Sequence, residues 1–180
     1  MELKGAQSKM AGFFLYAAII QGAVAVGVTF LGAFGDQLGL LPMSVARVIA
    51  GGGAGMWFTM GYVVYLIVGV LAMAVTSLFY FYIETIQGKT YKGITKALSW
   101  IHLTLGNIGV AGASLAAMWG GYWAAQAVAA TTSGGLGLQP GAAHEVLVTV
   151  EEPIAAFIAL ALIAFFVGGL GYVLAMRSKK

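Results

Sequence analysis

The sequence contains no cysteine, and this absence excludes several kinds of chemistry at once. Without thiolates the chain forms no disulfide bond, holds no iron–sulfur cluster and has no cysteine nucleophile. A zinc or copper site would depend on carboxylates and on only 2 histidines. We therefore expect no metal or redox cofactor to be bound by this chain alone.

Charged residues are also scarce, at 8% of 180 residues, whereas 61% of the residues are hydrophobic. A soluble domain needs roughly a quarter charged residues to keep its surface hydrated. Most of this surface must face lipid instead. The net charge of +3 then reflects topology and contact with anionic lipid headgroups. We expect no nucleic-acid partner, because no basic patch with interleaved aromatic residues lies on a hydrated surface.

Four long stretches carry no formal charge, and each exceeds the roughly 20 apolar residues that a helix needs to cross a bilayer. They lie between Lys9 and Asp36, Arg47 and Glu84, Lys96 and Glu145, and Glu152 and Arg177. The second part of the third stretch, 131–143, is rich in Gly and is predicted to be a loop. We predict a single all-α membrane domain over residues 1–180, a bundle of four helices with spans at about 10–35, 54–82, 96–130 and 152–176.

The fourth span has a clear start signal. Glu151, Glu152 and Pro153 follow one another there. Proline is favoured at the first helical position, and carboxylates are favourable at the positive end of the helix dipole. We therefore predict that this helix begins at these three residues.

Basic residues fall almost entirely on one side of the predicted membrane. These are Lys4, Lys9, Lys89, Lys92, Lys96, Arg177, Lys179 and Lys180. Arg47 alone falls on the other side, together with Asp36 and the acidic residues 145, 151 and 152. Because Lys and Arg accumulate in cytoplasmic segments, we predict a multi-pass protein of the cell membrane with both termini in the cytoplasm.

Two ionisable residues, Glu84 and His102, stand near the cytoplasmic ends of the second and third spans. Ionisable groups at membrane depth are costly and often functional. The two could meet and form a proton-handling pair or a quinone contact. Alternatively both are interfacial, with Glu84 facing Lys89 or lipid headgroups and His102 reaching outward. No catalytic residue set is present, so we expect no enzyme activity from this chain alone.

The 2 histidines do not suit a haem iron, because His102 and His144 are predicted at opposite ends of the bundle. The one candidate group for zinc or copper lies in the predicted outer loop. It consists of His144, Glu145, Glu151 and Glu152. A solvated acidic loop explains these residues at least as well.

Small residues recur at four-residue spacing in the third span, at Ala113, Ala117, Gly121 and Ala125. Such residues let helix backbones approach closely in lipid, so we predict a helix-packing face, including contacts to another subunit. Ala23 and Gly27 repeat the spacing in the first span. The uncharged polar residues predicted to bond to neighbouring helices or to backbone groups are Gln21, Thr29, Asn107, Ser114 and Gln126.

The stretch from Gly61 to Asn107 contains a series of short motifs. They are GYVV at 61–64, LFYFY at 78–82, GKTY at 88–91 and WIHLTLGN at 100–107, with a weaker GVT at 27–29. Together they resemble subunit I of the haem–copper oxidases, which has a similar aromatic helix exit, a Gly-basic-x-Tyr turn and a following helix with Ile-His. The resemblance implies that the four spans match the last four helices of that subunit.

The departures from that family concern its redox centre. Thr59 and Gly61 stand where the family has its haem-ligating His-x-His pair, and no Arg lies between 131 and 152 to bind haem propionates. The resemblance therefore implies a non-catalytic accessory subunit of a respiratory terminal oxidase, with haem and copper in a partner subunit. A small carrier or channel that uses Glu84 and His102 is the alternative, as is a scaffold subunit of another membrane enzyme such as a copper monooxygenase.

Overall fold

The computed structural model describes residues 9–178, so Lys4, Lys179 and Lys180 lie outside the described residues. Over this range the chain forms helices and no strand. The helices are α1 (Lys9–Phe34), α2 (Val45–Ala50), α3 (Gly55–Ile86), α4 (Ile94–Val128) and α5 (Gly141–Arg177), with a 3₁₀ turn at Thr131–Ser133. The helices α1, α3, α4 and α5 are long and apolar enough to cross a membrane. The all-α class and the four candidate spans are thereby confirmed.

The helix α4 lies at the centre of the bundle. Within its most apolar stretch 44% of the residues are buried, against 22% in each of the other three spans. It packs most extensively along α5 and then along α3, whereas α1 packs mainly on the second half of α3. It also has the lowest mean hydropathy of the four, as expected for the helix that faces protein rather than lipid.

The helix α5 begins well ahead of the predicted start of the fourth span. Its first residue is Gly141, next to Pro140, and Pro153 lies inside the helix. The prediction that the helix begins at Glu151, Glu152 and Pro153 was therefore wrong, as was the assignment of His144 to a loop. Proline inside a helix removes one backbone hydrogen bond, and long membrane helices tolerate this loss where neighbouring groups compensate.

The helix α3 contains two π-helical segments, Tyr65–Leu71 and Tyr82–Ile86. A π-helical turn holds more residues than an α-helical turn, so it changes which side chains face the bundle, and such turns are frequent at functional sites. The first segment turns Tyr65 and Gly69 inward, where both are buried. The second carries Glu84 at the end of the helix.

The two described ends of the chain lie at the same end of the bundle. The amide of Met10 donates to Glu84 Oε2 over 3.2 Å, and Lys89 Nζ donates to the carbonyl of Ser178. We call this the basic end, and its described basic residues are Lys9, Lys89, Lys92, Lys96 and Arg177. The opposite end, which contains Asp36, Arg47 and the start of α5, is called the acidic end.

Candidate functional site

His102 is the most enclosed of the His, Asp, Glu, Lys and Arg residues that the structure describes. Only 4% of the residue is exposed. Its Nδ1 lies 3.3 Å from the hydroxyl of Tyr80 on α3, and the tautomer of the imidazole decides which of the two groups donates the hydrogen bond. This burial contradicts the interpretation in which the His102 side chain extends outward to the lipid headgroups.

All four spans meet around His102. The ring of Phe14 from α1 lies 5.0 Å away between centroids, and that of Tyr80 from α3 lies 6.1 Å away. From α5, Phe165 and Tyr172 present their rings nearly perpendicular to the imidazole, at 6.1 and 6.0 Å. Aromatic pairs at these distances add to the stability that burial provides. The imidazole therefore has a packing role as well as a polar one.

Glu84 lies at the basic end, one helical turn after Tyr80 on α3. Its carboxylate accepts the amide hydrogen bond of Met10 at the start of α1, which fixes the end of α3 to the beginning of the chain. It also lines a pocket of about 520 Å³ between α1, α3, α4 and the loop that joins α3 to α4. Tyr80 is thus placed between Glu84 along the helix and His102 across the bundle.

Tyr91, in the loop between α3 and α4, extends this cluster to the basic end. Its ring packs 5.0 Å from that of Tyr80, and only 8% of the residue is exposed. Burial raises the pKa of the Tyr91 hydroxyl, and repulsion from the Tyr80 hydroxyl, when that group is ionised, and from Glu84 raises it further. Neither tyrosine was singled out from the sequence, although Tyr91 closes the GKTY turn and Tyr80 lies in the aromatic LFYFY run.

A second polar cluster lies deeper in the bundle. Gln21 Nε2 on α1 donates to Asn107 Oδ1 on α4 over 3.1 Å, and the hydroxyl of Tyr65 on α3 donates to Gln21 Oε1. A separate bond joins the hydroxyls of Thr29 and Tyr62, 2.6 Å apart. These bonds agree with the helix-linking role predicted for Gln21, Thr29 and Asn107.

Of the two other residues in that prediction, Gln126 bonds to backbone as predicted and Ser114 does not. Gln126 donates to the carbonyl of Gly134 in the loop after α4, over 3.1 Å. Ser114 has a buried hydroxyl with no hydrogen-bond partner among residues 9–178. The predicted hydrogen bond of Ser114 is therefore wrong for this part of the chain. The α3 residue packed against its backbone is Gly61, which has no side chain to supply a partner.

The small-residue face of α4 packs within the chain. Ala117 and Gly121 are buried, and Ala113 and Ala125 are half-buried. A Cβ on Gly121 would overlap the backbone of Phe58 and come within 2.9 Å of Trp57. The face is thus a contact between α4 and α3 of the same protein.

The same contact closes the position at which the oxidase resemblance places a haem ligand. A Cβ on Gly61 would lie 2.6 Å from the carbonyl oxygen of Ser114 and 3.0 Å from Met118. Thr59, two residues earlier, donates its hydroxyl hydrogen bond to Gly55 of its own helix over 3.4 Å. These residues do not fit a haem, since they offer no ligand and the helices touch where its ligand would stand.

The outer histidine and carboxylates do not converge. His144, Glu145, Glu151 and Glu152 are all exposed on the first turns of α5. Within the described range no group of three or more His, Asp or Glu side chains is placed to hold a metal ion. These four side chains are therefore separate exposed groups on a helix, not a metal site.

The fold and these contacts define an all-helical, multi-pass membrane protein. No family model matches the chain, and neither the curated proteins nor the solved structures include a match to it. The likeness to haem–copper oxidase subunit I thus depends only on the motifs quoted above.

Proposed function

We propose that this chain is a non-catalytic structural subunit of a membrane complex, and that the complex is a respiratory terminal oxidase of the haem–copper type. The observation that carries the proposal is the contact at Gly61. The chain resembles the helices that hold the haems in that family, yet the ligand position is occupied by packing against Ser114 and Met118. Haem and copper would then belong to the partner subunit.

The orientation is part of the proposal. The described basic residues, apart from Arg47, gather at the end of the bundle where both described ends of the chain lie. The positive-inside rule assigns that end to the cytoplasm, so we place the protein in the cell membrane with both termini cytoplasmic.

The proposed contact with the partner lies on α1. The small-residue face of α4 is already used within the chain, whereas Ala23 and Gly27 of α1 are exposed at the same four-residue spacing. A Cβ on Gly27 meets no atom within 4 Å, so its exposed surface is available to a second helix. Close approach at small residues is the usual means by which helices associate in lipid.

The test is extraction from the native membrane in mild detergent, followed by a blue native gel with a haem spectrum and mass spectrometry of each band. We expect the chain to migrate with a haem-containing oxidase. Gly27→Leu should reduce this co-migration, whereas Gly169→Leu, on α5 and equally free of neighbours within 4 Å, should not. Migration as a haem-free species would overturn the proposal, and a copper-containing, haem-free partner would indicate a scaffold of another enzyme instead.

A second candidate function is proton or ion transfer through Glu84, Tyr80 and His102. It is favoured by the hydrogen bond between Tyr80 and His102 and by the position of Glu84 on a pocket at the basic end. The experiment is proton or ion flux into liposomes that contain only this protein. Flux that Glu84→Gln abolishes would support transport, and absence of flux above that of empty liposomes would exclude it.

A further inference from the structure

The pocket at the basic end is lined by positive charge from three separate parts of the chain. Lys9 comes from α1, Lys89 and Lys92 come from the loop after α3, and Lys96 comes from the first turns of α4. One carboxylate, Glu84, shares the pocket and is held by the amide of Met10. Lys89 also donates to the carbonyl of Ser178, but it keeps its positive charge, so four lysines and one glutamate give the pocket a net positive charge that favours an anion.

The loop that carries two of these lysines is tied to the bundle. Tyr91 anchors its middle against Tyr80. The amide of Lys92 donates to Thr95 Oγ1 over 3.0 Å, and the Thr95 hydroxyl donates back to the carbonyl of Lys92 over 2.9 Å. Gly93 follows with a φ of 51°, a conformation that residues with a Cβ rarely adopt. The backbone of the loop at Lys92 is therefore held in place beside the pocket.

The wall of the pocket changes from polar to apolar. Beside the lysines stand the rings of Phe13 on α1 and Trp100 on α4, which are 4.9 Å apart and partly exposed on the lipid-facing surface. Trp and Phe at this depth mark the boundary between headgroups and hydrocarbon. A ligand that fits both parts has a negatively charged head and an apolar tail.

We propose that this pocket binds the phosphate headgroup of an anionic phospholipid, with an acyl chain along Phe13 and Trp100. The lysines supply charge complementarity to the phosphate, and the aromatic pair supplies an apolar surface for the chain. Basic pockets between membrane helices have the composition to bind such headgroups. The inference is independent of the proposed function and of the partner.

The test uses the full-length protein in a neutral detergent, titrated with phosphatidylglycerol or phosphatidylcholine and followed by native mass spectrometry. We expect saturable binding with a preference for phosphatidylglycerol. The double variant Lys92→Gln/Lys96→Gln should weaken it about tenfold. The control Arg47→Gln/Arg177→Gln removes equal charge at two described residues that do not line the pocket, and should change affinity less than about twofold. Lys92→Arg/Lys96→Arg, which keeps the charge, should retain binding and shows that the fold survives changes at these positions.

A second measurement locates the lipid. Of the four tryptophans only Trp100 lines this pocket. Brominated phosphatidylglycerol should therefore quench part of the tryptophan fluorescence in a saturable way, and the Trp100→Phe variant should lack this quenching. Equal weakening by both charge-removing double variants would overturn the proposal, because it would indicate diffuse attraction. Binding of inorganic phosphate with no preference between the two lipids would also overturn it, and would identify a site for the free anion.

Discussion

The two halves of this bundle hold their helices together by different means. Towards the acidic end, α3 and α4 touch backbone to backbone, at Gly61 against Ser114 and at Gly121 against Phe58. Towards the basic end, the four spans instead surround the imidazole of His102 with large aromatic rings, and Gly168 of α5 makes room for that imidazole.

The difference determines what each half can tolerate. A side chain added at a backbone contact has nothing movable to displace, so the helices themselves must separate. A side chain added at a ring contact collides with another side chain, which a second substitution can remove. The α3–α4 contacts at Gly61 and Gly121 should therefore be intolerant of enlargement, whereas the ring contacts around His102 should permit compensating changes.

The largest effect is expected at Gly121. Leu at this position would force the backbone of Phe58 away from α4, at a cost of at least about 3 kcal/mol. We expect Gly121→Leu to yield little folded protein, measured as helicity and monodispersity in detergent. Gly169→Leu is the matched control, because Gly169 has no neighbour within 4 Å and should leave stability nearly unchanged. Equal tolerance of the two variants would contradict the backbone contact.

The next effect is expected at Gly168, where a Cβ would overlap the imidazole of His102. Gly168→Ala should lower stability by about 1–3 kcal/mol. In the double variant Gly168→Ala/His102→Ala the new methyl group occupies space that the imidazole leaves, so the two costs should not add. Unfolding by denaturing detergent, followed by circular dichroism, measures all three variants. Strict additivity would show that the contact is not between these side chains.

Much of this architecture could be predicted from the sequence, and the reasons for the misses are local. Spacing of charges predicted four spans, because long uncharged stretches have few other uses in a chain of this composition. The start of α5 was missed because Pro153 has the same sequence signature inside a membrane helix as at its beginning.

The candidate site was less accessible to sequence reasoning. Glu84 and His102 stood out as ionisable residues in apolar surroundings, but their neighbours Tyr80 and Tyr91 looked like ordinary interfacial aromatics. Which tyrosines of α3 face the bundle depends on its π-helical turns, and no residue pattern in this sequence predicts those turns.

A smaller effect should distinguish the contribution of an interhelical hydrogen bond from the contributions of backbone packing and ring packing. Gln21 and Asn107 join α1 to α4 by one hydrogen bond of 3.1 Å. A double-mutant cycle with Gln21→Leu and Asn107→Leu should give a coupling energy of about 1 kcal/mol, since such bonds contribute modestly within membranes. The cycle is measured by the same unfolding assay. A coupling above about 3 kcal/mol would mean that polar contacts, rather than packing, dominate the middle of the bundle.

The smallest effect is expected at Tyr91 and depends on pH. Because burial raises its pKa in the folded protein above the unfolded value of 10.0, the folded state must keep the hydroxyl protonated where the unfolded chain can ionise. The contribution of Tyr91 to stability should therefore be constant below about pH 10 and become unfavourable as the pH rises beyond it. Tyr91→Phe should add about 0.5 kcal/mol at neutral pH, since that hydroxyl has no hydrogen-bond partner among residues 9–178, and should lose less stability than the parent protein at alkaline pH. If the difference in stability between the two proteins does not change with pH across this range, Tyr91 ionises as readily in the folded protein as in water, and its hydroxyl is not buried.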